Sequence, residues 1–162
     1  MENRRSPNSI LTGITFFLLM LITGVFWGTW FTLTRSLSEF PDTEFIHIGK
    51  VIIANVGVPM SILMPGGILL LAICVWLNLK KKLPGFYLGV LSLTLIVAVL
   101  LITLLVLVPI DNSIKTWTAV SVPQDFESIR AKWESYHAVR TFLSLASFAC
   151  FTAFSLMERR SR

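Results

Sequence analysis

Four residues near the C-terminal end could do chemistry together: Arg130, Trp133, His137 and Arg140, in the stretch RAKWESYHAVRT. Their separations of three, four and three residues put them on one side of a helix, because residues three and four apart are neighbours on a helical surface. An imidazole can move a proton near neutral pH. A guanidinium can hold an anion, and an indole offers a flat apolar face with one N–H donor. The combination suits the binding of a small polar or aromatic molecule.

The element carrying them starts near Pro123, with Asp125 and Glu127 in its first turn, and reaches the basic tail near Arg159. Early acids and a first-turn proline are helix-start signals. Wound at the helical period, Phe126, Arg130, Trp133, His137, Arg140, Thr141, Ser144, Phe148 and Phe151 share one face, with Ala131, Ser135, Ala138, Phe142, Ala146, Ala149 and Ala153 opposite. Charged groups at membrane depth normally face a bundle interior or a wet cavity, so Trp133, His137 and Arg140 are expected to point inward. Other readings stand beside this one. Arg140 can snorkel to lipid phosphates, Trp133 can serve an interfacial belt, His137 can cap one hydrogen bond, and Glu134 can pair with Arg130.

The rest of the chain explains why membrane depth is the relevant frame. Of 162 residues, 54% are hydrophobic and only 14% charged, well below the roughly 25% charge of soluble domains. Charge-free runs cover 6–34, 51–79, 83–110 and 141–157. A spanning helix needs about 20 apolar residues, so the chain is expected to be an all-α integral membrane four-helix bundle, up-down-up-down. The spans fall at about 10–34, 47–79, 84–109 and 124–158, as one domain, and the fourth helix is long enough to protrude on the extracytoplasmic side. The first run is too long for the apolar region of a secretory signal and reads as a retained span.

Orientation follows from charge. Both termini and the Lys80–Lys82 turn carry eight basic residues against Glu2 and Glu158, whereas the other loops carry six basic against seven acidic residues. The positive-inside rule puts both termini in the cytoplasm of a cell's plasma membrane. The basic residues are split among short segments suited to anionic lipid head groups, and no basic stripe interleaved with aromatics points to nucleic acid.

Further expectations are local. Gly24 and Gly28 have the spacing of a helix-packing strip, and Trp27 and Trp30 suit an aromatic belt. Pro59 and Pro65, followed by Gly66 and Gly67, predict a kinked or partly opened second span, with packing shape or room for a ligand as its use. The third span is almost entirely aliphatic and would face lipid or a second copy of the chain. Pro109 is expected to end it, with Asp111 and Asn112 opening the next loop. The polar rim would collect Arg35, His47, Asn55, Asp111 and Asn112 over an apolar floor. Cys74 and Cys150 lie in spans, so no disulfide framework is expected. No metal site is expected; His47 and His137, on the same side, are the one pair that could hold a haem. No phosphate loop, zinc set or serine elbow is present.

From Asn112 through Trp117, Pro123 with Asp125, Arg130 with Trp133, His137, and Arg140 with Thr141, the chain resembles the anthrone-oxygenase-like family of small four-span membrane proteins. TGVFWGTWFTLTRSL and IGKVIIANVGVPMSILMP fit its first half more loosely. Two positions depart from the pattern: Phe126 stands where many relatives have Trp, and PIDN carries an extra acid. The resemblance implies oxidation of anthrones to anthraquinones by molecular oxygen without a bound metal, with His137 as base, Arg140 holding the anion, and Asn112 and Trp133 orienting the ring. With Asn55, Trp117 and Arg130 these complete the expected substrate-binding set. The competing function is a non-catalytic lipid or small-molecule binder, or a subunit of a membrane complex.

Overall fold

Hydropathy and length dictate the architecture. The computed structural model describes residues 7–79, 85–118 and 121–160, so the Lys80–Lys82 turn with Pro84 and the N-terminal Arg4 and Arg5 lie outside the described residues. Helix α1 runs Pro7–Thr32 and is followed by a 3-10 turn, Thr34–Glu39. Helix α2 is Asp42–Asn78 and α3 is Phe86–Ile102. A π-helical segment, Thr103–Leu107, joins α3 to α4, Val108–Thr116. Helix α5 is Phe126–Arg160. The four rods are each long and apolar enough to cross a membrane, so the protein is a multi-pass membrane protein with an all-α four-helix bundle.

The rods close a ring: α1 packs on α2 and α5, and α3 packs on the same two neighbours. Large apolar side chains such as Val58, Ile62, Leu105 and Phe142 point outward. Outward apolar side chains and satisfied helical backbones are what lipid requires. The 35 residues of α5 extend about 52 Å at 1.5 Å per residue, beyond a hydrocarbon core of about 30 Å. The excess stands at the end carrying the loops around residues 33–41 and 117–125, called here the loop end.

Two prolines leave α2 helical from Asp42 to Asn78. Each removes a single donor, and of the two expected outcomes, a kink or a partial opening, the opening does not occur. Pro109 does not end the third rod either. The N–H of Val108 bonds to the carbonyl of Thr103, five residues back. This wider π turn precedes the proline, which then takes a first-turn position of α4 where no N–H is needed. Asp111 and Asn112 are therefore helical and not in a loop. At the start of α5, Pro123 lies just outside the helix, its carbonyl accepting from the N–H of Phe126 at 3.2 Å.

The interior has two apolar cores. The larger joins Leu19, Ile22, Phe26, Met64, Leu71, Val99, Phe151 and Phe154 along the spans. The second, at the loop end, joins Leu37, Phe45, Leu107, Ile114, Trp117, Phe126 and Trp133. Close helix approach occurs at Gly67, where an added Cβ would lie 2.9 Å from Ile22 Cδ1, and at Gly89, where it would lie 3.2 Å from Val75 Cγ2. At Gly24 and Gly28 such a Cβ would meet nothing within 4 Å; that strip faces outward and packs no helix of this bundle. Ser92 and Ser147 lock α3 to α5 reciprocally, each hydroxyl donating to the other's carbonyl at 2.8 and 2.9 Å.

Candidate functional site

Between the two cores lies a cavity of about 340 Å³ with walls from all four rods. Helix α1 supplies Val25, Phe26 and Thr29; α2 supplies Ile52 to Pro65 along one edge. Leu100, Thr103, Leu104, Val108 and Asp111 come from the third rod, and Trp133, His137 and Arg140 from α5. The volume is at the low end of the roughly 300–1,000 Å³ of small-molecule pockets. The walls are apolar over most of their extent, and the charged groups gather at the loop end.

The polar end is built by helix periodicity. Trp133, His137 and Arg140 stand at four- and three-residue steps, and all three are buried. The ring of His137 packs on that of Trp133 with centroids 4.1 Å apart. Arg140 Nη2 donates to His137 Nδ1 at 3.0 Å. A guanidinium only donates, so Nδ1 is the accepting nitrogen and the imidazole carries its proton on Nε2. The guanidinium carbon sits 4.3 Å from the ring centroid of Phe26, a cation–π contact that fixes Arg140 against α1. Its Nε–H is buried and has no hydrogen-bond partner.

Asp111 faces this group from α4. Its Oδ1 accepts from Trp133 Nε1–H at 2.8 Å. The π segment matters here, because it carries the helix past Pro109 and so places a carboxylate at the cavity and not in a loop. Asp111 was expected at the polar rim but not among the catalytic or substrate-binding residues, and Phe26 and Thr103 were not expected at the site. Asp111 was legible as a polar group at a span end; the helical continuation through Pro109, which carries it to the cavity wall, was not.

The other expected residues lie elsewhere. Arg130 is buried, but at a different station. Its guanidinium donates to the carbonyls of Leu37 and of Phe40, the latter at 3.1 Å, and lies 3.5 Å from Glu134 and 3.7 Å from Asp42. It also sits 4.9 Å from the ring centroid of Phe45. It therefore ties α5 to the α1–α2 connection. Trp117 packs edge-on to Phe126 and accepts from Lys50 Nζ through its carbonyl at 2.7 Å. Asn112 is exposed and takes a hydrogen bond from Lys115 at 3.0 Å. Asn55 is exposed on α2, outside the cavity lining. The structure thus brings together Trp133, His137 and Arg140 and leaves Asn55, Asn112, Trp117 and Arg130 apart from them.

His47 is exposed, in a shallow recess with Thr43, Glu44 and Ile48, while His137 is buried in the cavity. The two imidazoles line different recesses. Among the described residues no cluster of three His, Cys, Asp or Glu side chains could hold a metal ion.

The family model described as anthrone oxygenase matches residues 55–150, more than half of the chain. The chain belongs to the anthrone oxygenase family. The matched stretch of this family member begins in α2 and ends in α5, and it contains Asp111, Trp133, His137 and Arg140. The α1 wall of the cavity, with Phe26, lies outside it. No curated protein and no solved structure gave a match to the chain.

Proposed function

We propose that the protein is a membrane oxidoreductase that oxidises an anthrone-type substrate, a fused aromatic ring system with an acidic methylene, to the quinone with molecular oxygen. The observation that carries this is the buried, unpartnered Nε–H of Arg140 at a cavity wall that also holds the Asp111 carboxylate. A buried donor without an acceptor is costly; an oxyanion developing on the substrate is the group that would use it.

The site supports a division of labour that differs from the one the sequence suggests. The accepting nitrogen of His137 is already engaged by Arg140. Asp111 has one oxygen held by Trp133, and its other oxygen makes no hydrogen bond among the described residues. Asp111 is therefore the base, Arg140 holds the enolate oxygen, and His137 positions Arg140. The indole of Trp133 holds the carboxylate and offers a flat wall. Asp111 removes a methylene proton; the carbanion adds dioxygen, and the proton returns to the terminal peroxide oxygen. Loss of the second proton with cleavage of the O–O bond releases one water and leaves the new carbonyl. One anthrone and one dioxygen give one quinone and one water, and no further reductant is needed.

The test is oxygen uptake with anthrone by purified protein in lipid nanodiscs, against a protein-free blank because anthrones autoxidise. Asp111→Asn and Arg140→Ala should each return the rate to the blank. Uptake by the parent no faster than the blank, or unchanged in both variants, would overturn the catalytic reading. The second reading is a non-catalytic binder. It is favoured by Asp111 and Arg140 each already being engaged by a neighbouring side chain, Trp133 and His137 respectively.

The charge asymmetry supports placing both termini in the cytoplasm and the loop end outside it. A Thr118→Cys variant should then react with a membrane-impermeant maleimide in intact cells; labelling only after lysis would reverse the orientation.

A further inference from the structure

The cavity does not depend on water for entry. Gly57, Ser61 and Pro65 follow one another at four-residue steps along one edge of α2, and all three are at once cavity-lining and exposed. Facing them on the third rod, Leu104 and Val108 line the cavity and are 52% and 37% exposed. Residues that touch both the cavity and the outer surface mark an opening, and this one runs between α2 and the third rod.

Depth decides what lies outside it. A hydrocarbon core takes about 20 residues of helix. Counted back from Asn78, that length reaches about Val58; counted on from Phe86, it reaches about Val106. Ser61, Pro65 and Leu104 then sit within the apolar layer, and Gly57 and Val108 at its boundary. The opening faces acyl chains. The buried groups Asp111, His137 and Arg140 lie beyond that boundary, at head-group level.

Two local features shape the gap. Pro65 has no N–H to give to the carbonyl of Ser61, and Pro65 itself lines the cavity. The π segment Thr103–Leu107 widens the facing rod at the same level. Gly57 brings no side chain into the gap, and an added Cβ there would meet nothing within 4 Å.

We propose that the gap between α2 and the third rod is a lateral portal, through which an uncharged fused-ring aromatic dissolved in the bilayer enters the cavity polar edge first. This rests on the reading of the cavity as a ligand site and adds the route and the physical class of ligand: membrane-partitioned, flat, with one hydroxyl or carbonyl edge. An aromatic that enters this way keeps its rings in an apolar medium throughout, and its polar edge meets Asp111 and Arg140 at the level where the lipid itself becomes polar.

The probe is anthraquinone, which quenches tryptophan fluorescence. Protein in liposomes is mixed rapidly with anthraquinone, and the Trp133 component is defined as the part of the signal absent from a Trp133→Phe variant. Its quenching should track the mole fraction of probe in the lipid and not the aqueous concentration. Gly57→Phe and Leu104→Phe, each adding a ring at the gap, should slow its onset at least tenfold. Val58→Phe, on an outward position that is 70% exposed and outside the lining, should leave it unchanged. If Gly57→Phe does not fold, Leu104→Phe carries the comparison. Onset unchanged in the portal variants, or no Trp133 quenching in the parent, overturns the proposal. Capture through the portal without oxygen uptake on anthrone would keep the route and remove the catalytic reading.

Discussion

Arg130 and Arg140 stand ten residues apart on one helix, and both are buried, at 5% and 8% exposure. Their surroundings differ in kind. Arg130 is surrounded by acceptors: two backbone carbonyls, Asp42 and Glu134, with Phe45 beneath. Arg140 has one imidazole nitrogen, an aromatic face and an orphan Nε–H at a cavity wall. Arg130 Nε also lacks a hydrogen-bond partner, but it lies 3.5 Å from the Glu134 carboxylate, so this guanidinium is a structural clamp. One with a donor left over, in a cavity that also holds a carboxylate, is free to hold a ligand oxygen. The same residue type on the same helix has different surroundings because one meets a connecting turn and the other meets a gap between helices.

The comparison can be broken by substitution. The largest effect expected is on the Arg140 side: Asp111→Asn should lower the rate of anthrone-dependent oxygen uptake by about 10²–10⁴-fold, the usual contribution of a positioned acid or base, with the unfolding midpoint in detergent kept. Arg140→Lys should also lose activity while folding, since an ammonium cannot donate to His137 Nδ1 and present a second N–H in the fixed geometry of the planar guanidinium. On the Arg130 side the order reverses. Arg130→Ala strands two carbonyls and two carboxylates, and should cost about 3 kcal/mol of stability, read as a shifted denaturation midpoint, with activity per folded molecule retained. Equal effects of the Arg130 and Arg140 variants on both readouts would erase the distinction.

Smaller effects sharpen it. Ser147→Ala removes one hydroxyl of the α3–α5 lock and should cost about 1 kcal/mol, given that interhelical hydrogen bonds in membranes average near 0.6 kcal/mol. Gly24→Ala should be neutral or stabilising by up to about 1 kcal/mol, because alanine is the better helix former and nothing lies within 4 Å of the added methyl. A clear loss of stability there would show that the strip packs against something.

Much of the fold was legible because it follows from solvent. Uninterrupted apolar length forces spans, and the segregation of Trp133, His137 and Arg140 from Ala131, Ser135 and Phe142 showed which edge of α5 turns inward. Two features were not legible, and both concern proline. Pro109 reads as a helix end, yet a π turn before it lets the helix continue; Pro59 and Pro65 read as a kink or a partial opening, and α2 stays helical through both. Proline removes one hydrogen bond locally, and whether the helix survives is decided by how neighbouring turns and helices compensate. The Gly24–Gly28 strip is not used within the bundle for a related reason: a small-residue strip packs only if another helix arrives there, and within this chain the close approaches are at Gly67 and Gly89.

Composition and periodicity alone determined a four-span bundle and the inward polar edge of its last helix, because burial in lipid leaves helices no alternative to hiding their charged faces from hydrocarbon. Tertiary structure decided which polar groups share a cavity. Asp111 entered and Asn112 did not, since adjacent residues on a helix point about 100° apart and only the register of the third rod against α5 selects between them. Asn55 and Trp117 were set aside by the same geometry. Side-chain chemistry is written in the residue types, but which groups meet depends on helix rotation and closure, which the packing of all four rods fixes together.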